Sequence, residues 1–117
     1  MTTQEVANRF YELSQEGKFD TIYADLYSPD AVSIEPDENF LPTAKGMDAI
    51  FAKGKQFQEM TEEMHGGYTN APIVAGNFFA CAMGMDITMK GQARSQMDEI
   101  AMYEVRDGKI VKEQFFY

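Results

Sequence analysis

The sequence predicts an α+β fold, with helices first and a sheet of long antiparallel strands after them. Three observations predict it. Apolar residues recur at offsets of three and four through the first half of the chain. From residue 78 onward the period becomes two. Glycine-bearing turns then punctuate the chain at Gly76-Asn77, Gly91 and Asp107-Gly108. Helices followed by strands place the helices on one face of one sheet. Strands this long must coil strongly to wrap that face.

Length and charge bound the rest. A chain of 117 residues is expected to be one domain, spanning 1–117. Its 44% apolar and 13% aromatic content supplies a core and excludes wholesale disorder. Ten Lys and Arg against 19 Asp and Glu leave a net charge of −9. That field repels polyanions, so neither nucleic acid nor a membrane is expected as a partner. One cysteine, Cys81, cannot form an internal disulfide, and Met1-Thr2-Thr3-Gln4-Glu5 carries no basic or apolar leader. A cytoplasmic protein is the expectation. The lone His65 and Cys81 have no zinc spacing and no calcium loop is present, so no metal and no cofactor are expected.

Each element has its own signal. Gln4 to Glu16, after Thr3, places Val6, Ala7, Phe10 and Leu13 on one helical face, with Tyr11 beside it, and Gly17 stops the helix. Asp20 caps a second helix to Leu26, with Phe19 and Ile22 inward, and Ser28-Pro29-Asp30 breaks it. Ala31 to Glu35 reads as a short strand closed by Pro36, and Asp37 to Gly46 as a loop. A third helix runs from Met47 to about Met64, with Met47, Ile50, Phe51, Phe57 and Met60 as core candidates. His65 then stands at a helix end. Tyr68 to Val74 is an edge or bulged strand because of Pro72. Phe78 to Lys90 alternates bulky odd positions (Phe79, Cys81, Met83, Met85, Ile87, Met89) with small or polar even ones. Arg94 to Arg106 and Lys109 to Tyr117 complete a meander.

The last turn decides which residues share a face. If Asp107-Gly108 is a two-residue loop, Arg106 pairs with Lys109, and odd positions before the turn meet even ones after it. If Gly108 is instead a left-handed bulge, Val105 pairs with Lys109, and odd positions meet odd ones. The second geometry is preferred, because it gathers Val111, Glu113, Phe115 and Tyr117 with Met97, Glu99, Ala101 and Tyr103. The even face, with Phe78, Ala80, Ala82, Gly84, Ile100, Met102 and Phe116, would then be a small-residue surface suited to a homodimer.

The segments "LYSPDAVSIEP", "GMDAI" and "AMYEVRDGKIVKEQFFY", in that order and spacing, resemble the nuclear transport factor 2-like superfamily. The branch they resemble is that of SnoaL-like proteins and ketosteroid isomerases. The resemblance implies a cystatin-like α+β barrel, a cone-shaped curved sheet wrapped around three N-terminal helices and a deep apolar cavity. It also implies a frequent homodimer through the outer sheet face. The isomerases carry a carboxylate base just before a proline, a place filled here by Glu35 before Pro36. Their oxyanion donors fall at Phe10 and Ala101, which cannot donate. The acid that related cyclases carry in the last strand is absent from Gln114-Phe115-Phe116.

The expected site follows. Glu35, Glu99 and Glu113 can reach one cavity, where desolvation and mutual repulsion raise carboxyl pKa values toward those of a general base. Glu35 is the expected base and Tyr103 the polariser of a carbonyl, with Glu99 as a further catalytic acid. Phe10, Tyr11, Met83, Met85, Met97, Ala101, Glu113, Phe115 and Tyr117 are the expected ligand-binding walls. The expected ligand is a small apolar or carbonyl-bearing molecule. The expected chemistry is isomerisation, cyclisation or dehydration by proton abstraction, and a non-catalytic binding module is the rival.

Overall fold

The computed structural model describes all 117 residues. Helix α1 (Thr3–Gln15) opens one residue earlier than the sequence predicts. Thr2 is its cap: its hydroxyl accepts from the Glu5 N–H, and the Glu5 carboxylate accepts from the Thr2 N–H. Its apolar face, Val6, Ala7, Phe10 and Leu13, is buried. Gly17 adopts φ 70°, the left-handed conformation that ends a helix and that glycine takes without strain. Helix α2 (Phe19–Leu26) buries Ile22 and Leu26, but Phe19 is 50% exposed. The expectation of an inward Phe19 therefore fails: it starts the helix and lies over an open groove instead.

Strand β1 (Tyr27–Ile34) follows α2 without a gap. Ser28-Pro29-Asp30 does not separate helix from strand; it bulges within the strand, where the register shifts between Tyr27 and Val32. The loop after Pro36 contains a two-residue strand, β2 (Ala44–Lys45), paired with β1. Helix α3 (Met47–Met60) is four residues shorter than predicted. Thr61 leaves it with extended backbone and donates its hydroxyl to the Phe57 carbonyl. Thr61 to Met64, expected in the helix, instead begins strand β3 (Thr61–Thr69), because that segment pairs with Met83 to Met89 of the strand β5 described below. Long-range pairing here overrides a weak local helical pattern. Phe51, expected in the core, is 53% exposed, while Lys53 is buried in its stead.

The remaining strands are β4 (Ile73–Ala75), β5 (Phe78–Met89), β6 (Ser95–Arg106) and β7 (Lys109–Phe116). The sheet order is β2-β1-β7-β6-β5-β3, with β4 also on β5. The fold is mixed α+β, and one pairing departs from the predicted antiparallel meander: β1 and β7 are parallel. They lie far apart in the chain with no hairpin between them, so no local pattern fixes their relative direction.

At the β6–β7 turn both predicted geometries are partly realised. Arg106 pairs with Lys109, and Asp107 and Gly108 sit at φ 51° and 74°, so the loop has two residues and the preferred bulged turn is absent. Val105 then pairs with Ile110, but Glu104 pairs with Lys112. Val111 is thus an extra residue, a bulge in β7 that restores odd-with-odd pairing from Tyr103–Glu113 onward. Ile110 is buried before the bulge and Glu113 after it.

The core fills the concave side. Phe10 of α1 packs against Phe79 and Tyr103, whose rings stack at 4.7 Å between centroids. Cys81, Ala101 and Val105 complete this end, and burial pushes the Cys81 thiol up to about 11, so it is an inert core residue.

Candidate functional site

Alternation along β1 places Ala31 and Ser33 on the inner side, and Glu35, just past its end, is buried with them. Ser33 pairs with Glu113 of β7, Glu113 with Tyr103 of β6, and Tyr103 with Phe79 of β5. One cross-strand row therefore runs from polar to aromatic. Lys53 reaches its polar end from α3. It sits three residues after Ile50 and four before Phe57, on the helix's inner face.

These side chains form one buried network. The Lys53 ammonium lies 3.0 Å from Glu35 Oε2 and also donates to the Ser33 hydroxyl. Ser33 in turn donates to Glu113 Oε2 at 2.5 Å, and the Tyr27 hydroxyl donates to Glu113 Oε1. Tyr117 donates to Glu35 Oε1 at 2.7 Å. The ammonium also stands 5.4 Å from the centroid of the Phe115 ring, a cation–π contact. Both carboxylates are thus fully engaged. Lys53, with three N–H groups, has protein acceptors for two of them.

Burial dominates the electrostatics. It raises the Glu113 pKa, and the Glu35 charge adds to the rise, against the opposing pull of Ser33, Tyr27 and Lys53. Burial also raises the Tyr27 and Tyr23 hydroxyls, with the Glu113 charge reinforcing both. Glu99 differs from the other two acids. It is half-buried, makes no hydrogen bond, and is pushed up to about 7, by burial first and then by the Glu35 and Glu113 charges.

Between α3 and the inner faces of β5, β6 and β7 lies a cavity of about 210 Å³. Glu35, Glu99, Glu113, Lys53 and Tyr117 line it, among Tyr23, Phe40, Leu41, Ile50, Phe57, Met85, Met97 and Phe115. Gly54 opens its wall on α3, where an added Cβ would meet nothing within 4 Å.

Of the residues singled out from the sequence, Glu35, Glu99, Glu113, Met85, Met97, Phe115 and Tyr117 line this cavity. Others do not. Tyr103 is locked between Phe10 and Phe79 and is absent from the lining, so it is not placed to polarise a ligand there. Phe10 and Ala101 belong to the dry core beside it. Tyr11 is half-buried on α1 and lines no part of the cavity. Met83 and His65 line a separate groove under α1. His65 lies within β3, not at a helix end, with its ring held by Thr88 and Glu63.

Lys53, Ser33 and Tyr27 escaped the sequence reading. A lysine midway between Ile50 and Phe57 on the apolar helical face was the available signal for the first. Strand parity with Glu35 was the signal for the second. Tyr27 carried none, because its strand was expected to start later.

Comparison with known proteins places this arrangement. A model of the SnoaL-like domain matches residues 1–117. The chain belongs to the SnoaL-like family. A crystal structure from Mesorhizobium loti, provisionally described as a SnoaL-like polyketide cyclase and carbohydrate phosphatase, superposes with a TM-score of 0.92 at 35% identity, covering 100% of both chains. A protein of cystatin-like fold from Xanthomonas campestris gives 0.79 at 20% identity, over 99% of this chain and 90% of that one. A ketosteroid isomerase-like fold from Catenulispora acidiphila, in complex with trimethylamine, gives 0.73 at 17% identity, over 99% and 87%. The latter two establish the shared fold alone. No curated protein matches the sequence. The SnoaL-like assignment and the mixed α+β fold, shared with the protein of cystatin-like fold, agree with what the sequence predicts.

Proposed function

We propose that this SnoaL-like protein binds a small carbonyl compound in its cavity and moves a proton on the carbon next to the carbonyl, without a cofactor. One observation carries the reading: Glu99, with no hydrogen-bond partner, and Lys53, with one uncommitted N–H, line the same cavity. The Lys53 N–H donates to the substrate's carbonyl oxygen, which gains negative charge as the neighbouring C–H bond breaks. Glu99 takes the proton and returns it at the same or another carbon. Glu35 is a poorer base, since Lys53 and Tyr117 occupy both of its oxygens; its role is to hold Lys53 in place. Ring closure of aldol type begins with the same proton removal, which fits the provisional cyclase description of the Mesorhizobium loti protein.

The test is proton exchange in D₂O, followed by NMR on small ketones such as cyclohexanone. Deuterium should enter next to the carbonyl at a rate that climbs with pH through about 7, as Glu99 ionises. Glu99→Gln should cost about 10²–10⁴ in rate. Exchange no faster than in buffer would overturn the reading. A non-catalytic binding module would then stand in its place, favoured by the internal satisfaction of Glu35 and Glu113.

We further propose that two copies pair through the outer sheet face. Phe116, Ile100 and Ala82 form one cross-strand row there, and Met102, Ala80 and Ile73 another, with Ile100, Phe116 and Ile73 exposed. Sedimentation at micromolar concentration should give twice the 13.2 kDa chain mass, and a purely monomeric species would count against it.

A further inference from the structure

The cavity is not the only space that reaches Glu99. A groove of about 510 Å³ lies under the C-terminal end of α1 and the start of α2, along β3. Its lining shares two residues with the cavity, Met85 and Glu99. The Glu99 side chain therefore borders both spaces, and Met85, an unbranched thioether that changes shape readily, stands between them.

The chemistry of the groove restricts what fits. Its polar side chains are largely spoken for. Gln15 donates to the Thr69 carbonyl at 2.8 Å, strapping α1 to β3. Ser14 donates to the Tyr11 carbonyl, and both ring nitrogens of His65 are engaged. Tyr68 donates to Asp98. Apart from the Thr69 hydroxyl and Glu99, what remains open is apolar or featureless: Phe19, Met64 and Met83, with the backbone of Gly66, Gly67 and Gly84. No Lys or Arg lines it, so an anionic group has nothing to pair with. Phe19 and Met64 are 50% and 49% exposed, so half of each is left open by the rest of the chain.

The geometry points to a substrate longer than the cavity: a carbonyl compound with a neutral apolar tail that passes Met85 into the groove, so that its reactive carbon sits beside Glu99. This rests on the proposed reading of the cavity and adds the substrate class. At about 30 Å³ per water-sized group, the cavity alone holds a molecule of about seven heavy atoms. A longer molecule must use the groove or remain in solvent.

A homologous series of 2-alkanones, from 2-pentanone to 2-undecanone, tests this on the full chain. Affinity should rise about fourfold per methylene, and should keep rising beyond 2-hexanone, which has seven heavy atoms. In a sample labelled at the methionine methyl groups, short ketones should shift Met85 and Met97, while long ones should also shift Met64 and Met83. Met83→Trp should weaken only the long homologues. Affinity that levels off at 2-hexanone, with Met64 and Met83 unmoved by long ketones, would overturn the inference and leave the cavity reading intact. No binding by any homologue would remove both.

Discussion

The two ends of the concave face are built from the same strands and behave oppositely. At one end, Phe10, Phe79 and Tyr103 meet ring to ring, and Cys81 and Ala101 fill the gaps, with no ion pair among them. At the other, Lys53, Glu35, Ser33, Glu113 and Tyr27 are as deeply buried, yet joined wholly by hydrogen bonds and charge. The row Phe79–Tyr103–Glu113–Ser33 crosses from one regime to the other over four adjacent strands. The aromatic end derives stability from apolar burial and dispersion. The ionic end gains little net stability, because desolvating the charges offsets their attraction. What it holds in place is a cation in the cavity lining, with protein acceptors for two of its three N–H groups.

Substitutions at the two ends break this contrast in different ways. Phe79→Ala should cost about 3–5 kcal/mol of stability in a denaturant melt, through lost burial and the void left behind. Ketone exchange per folded molecule should survive it. Lys53→Met should cost roughly 3 kcal/mol, because Glu35 and Glu113 lose their only buried countercharge, and it should abolish exchange as well. Adding Glu35→Gln to Lys53→Met should recover part of the stability, since Glu113 still lacks a countercharge, and none of the activity. Recovery of both would show that the cation serves packing alone.

Glu99 sharpens the comparison through pH. Its folded pKa, about 7, lies above the ordinary 4.5. The native state therefore binds the extra proton, and the stability this brings is full below 4.5 and lost as pH rises through 7. Glu99→Gln removes the charge that causes the loss. The variant should melt at a higher temperature than the parent at pH 8, and the difference should shrink toward pH 4.5. A constant offset across that window would mean that Glu99 titrates as an ordinary surface acid. The smallest effect is expected at Gly54, where added bulk meets open space. Gly54→Ala should stabilise α3 by about 0.5–1 kcal/mol in a thermal melt.

The fold was legible because its signals are periodic. Val6, Phe10 and Leu13 mark α1, and the odd positions of β5 mark the inner face, and both are buried or half-buried as the alternation requires. Boundaries failed where contacts distant in sequence decide them, as at Thr61–Met64, which pairs with β5 in place of extending α3. The acids of the cavity were legible from strand parity. Lys53 was not, because a lysine on an apolar helical face reads as an interruption until its partners on β1 are known. Tyr103 misled for the complementary reason. Parity places it on the inner face, but only packing shows that Phe10 and Phe79 close over it.

The additional residue at Val111 lets Ile110 ahead of it and Glu113 behind it both turn inward, although they stand three positions apart. Remove one codon there, and Lys112 follows Ile110 directly while still opposing Glu104, so every side chain downstream keeps its side of the sheet. Remove one from Glu113 onward instead, and the rest of the strand swaps its inner and outer sides. The final hairpin therefore tolerates a frame-preserving deletion at one place and has its interior chemistry inverted by the same deletion further on.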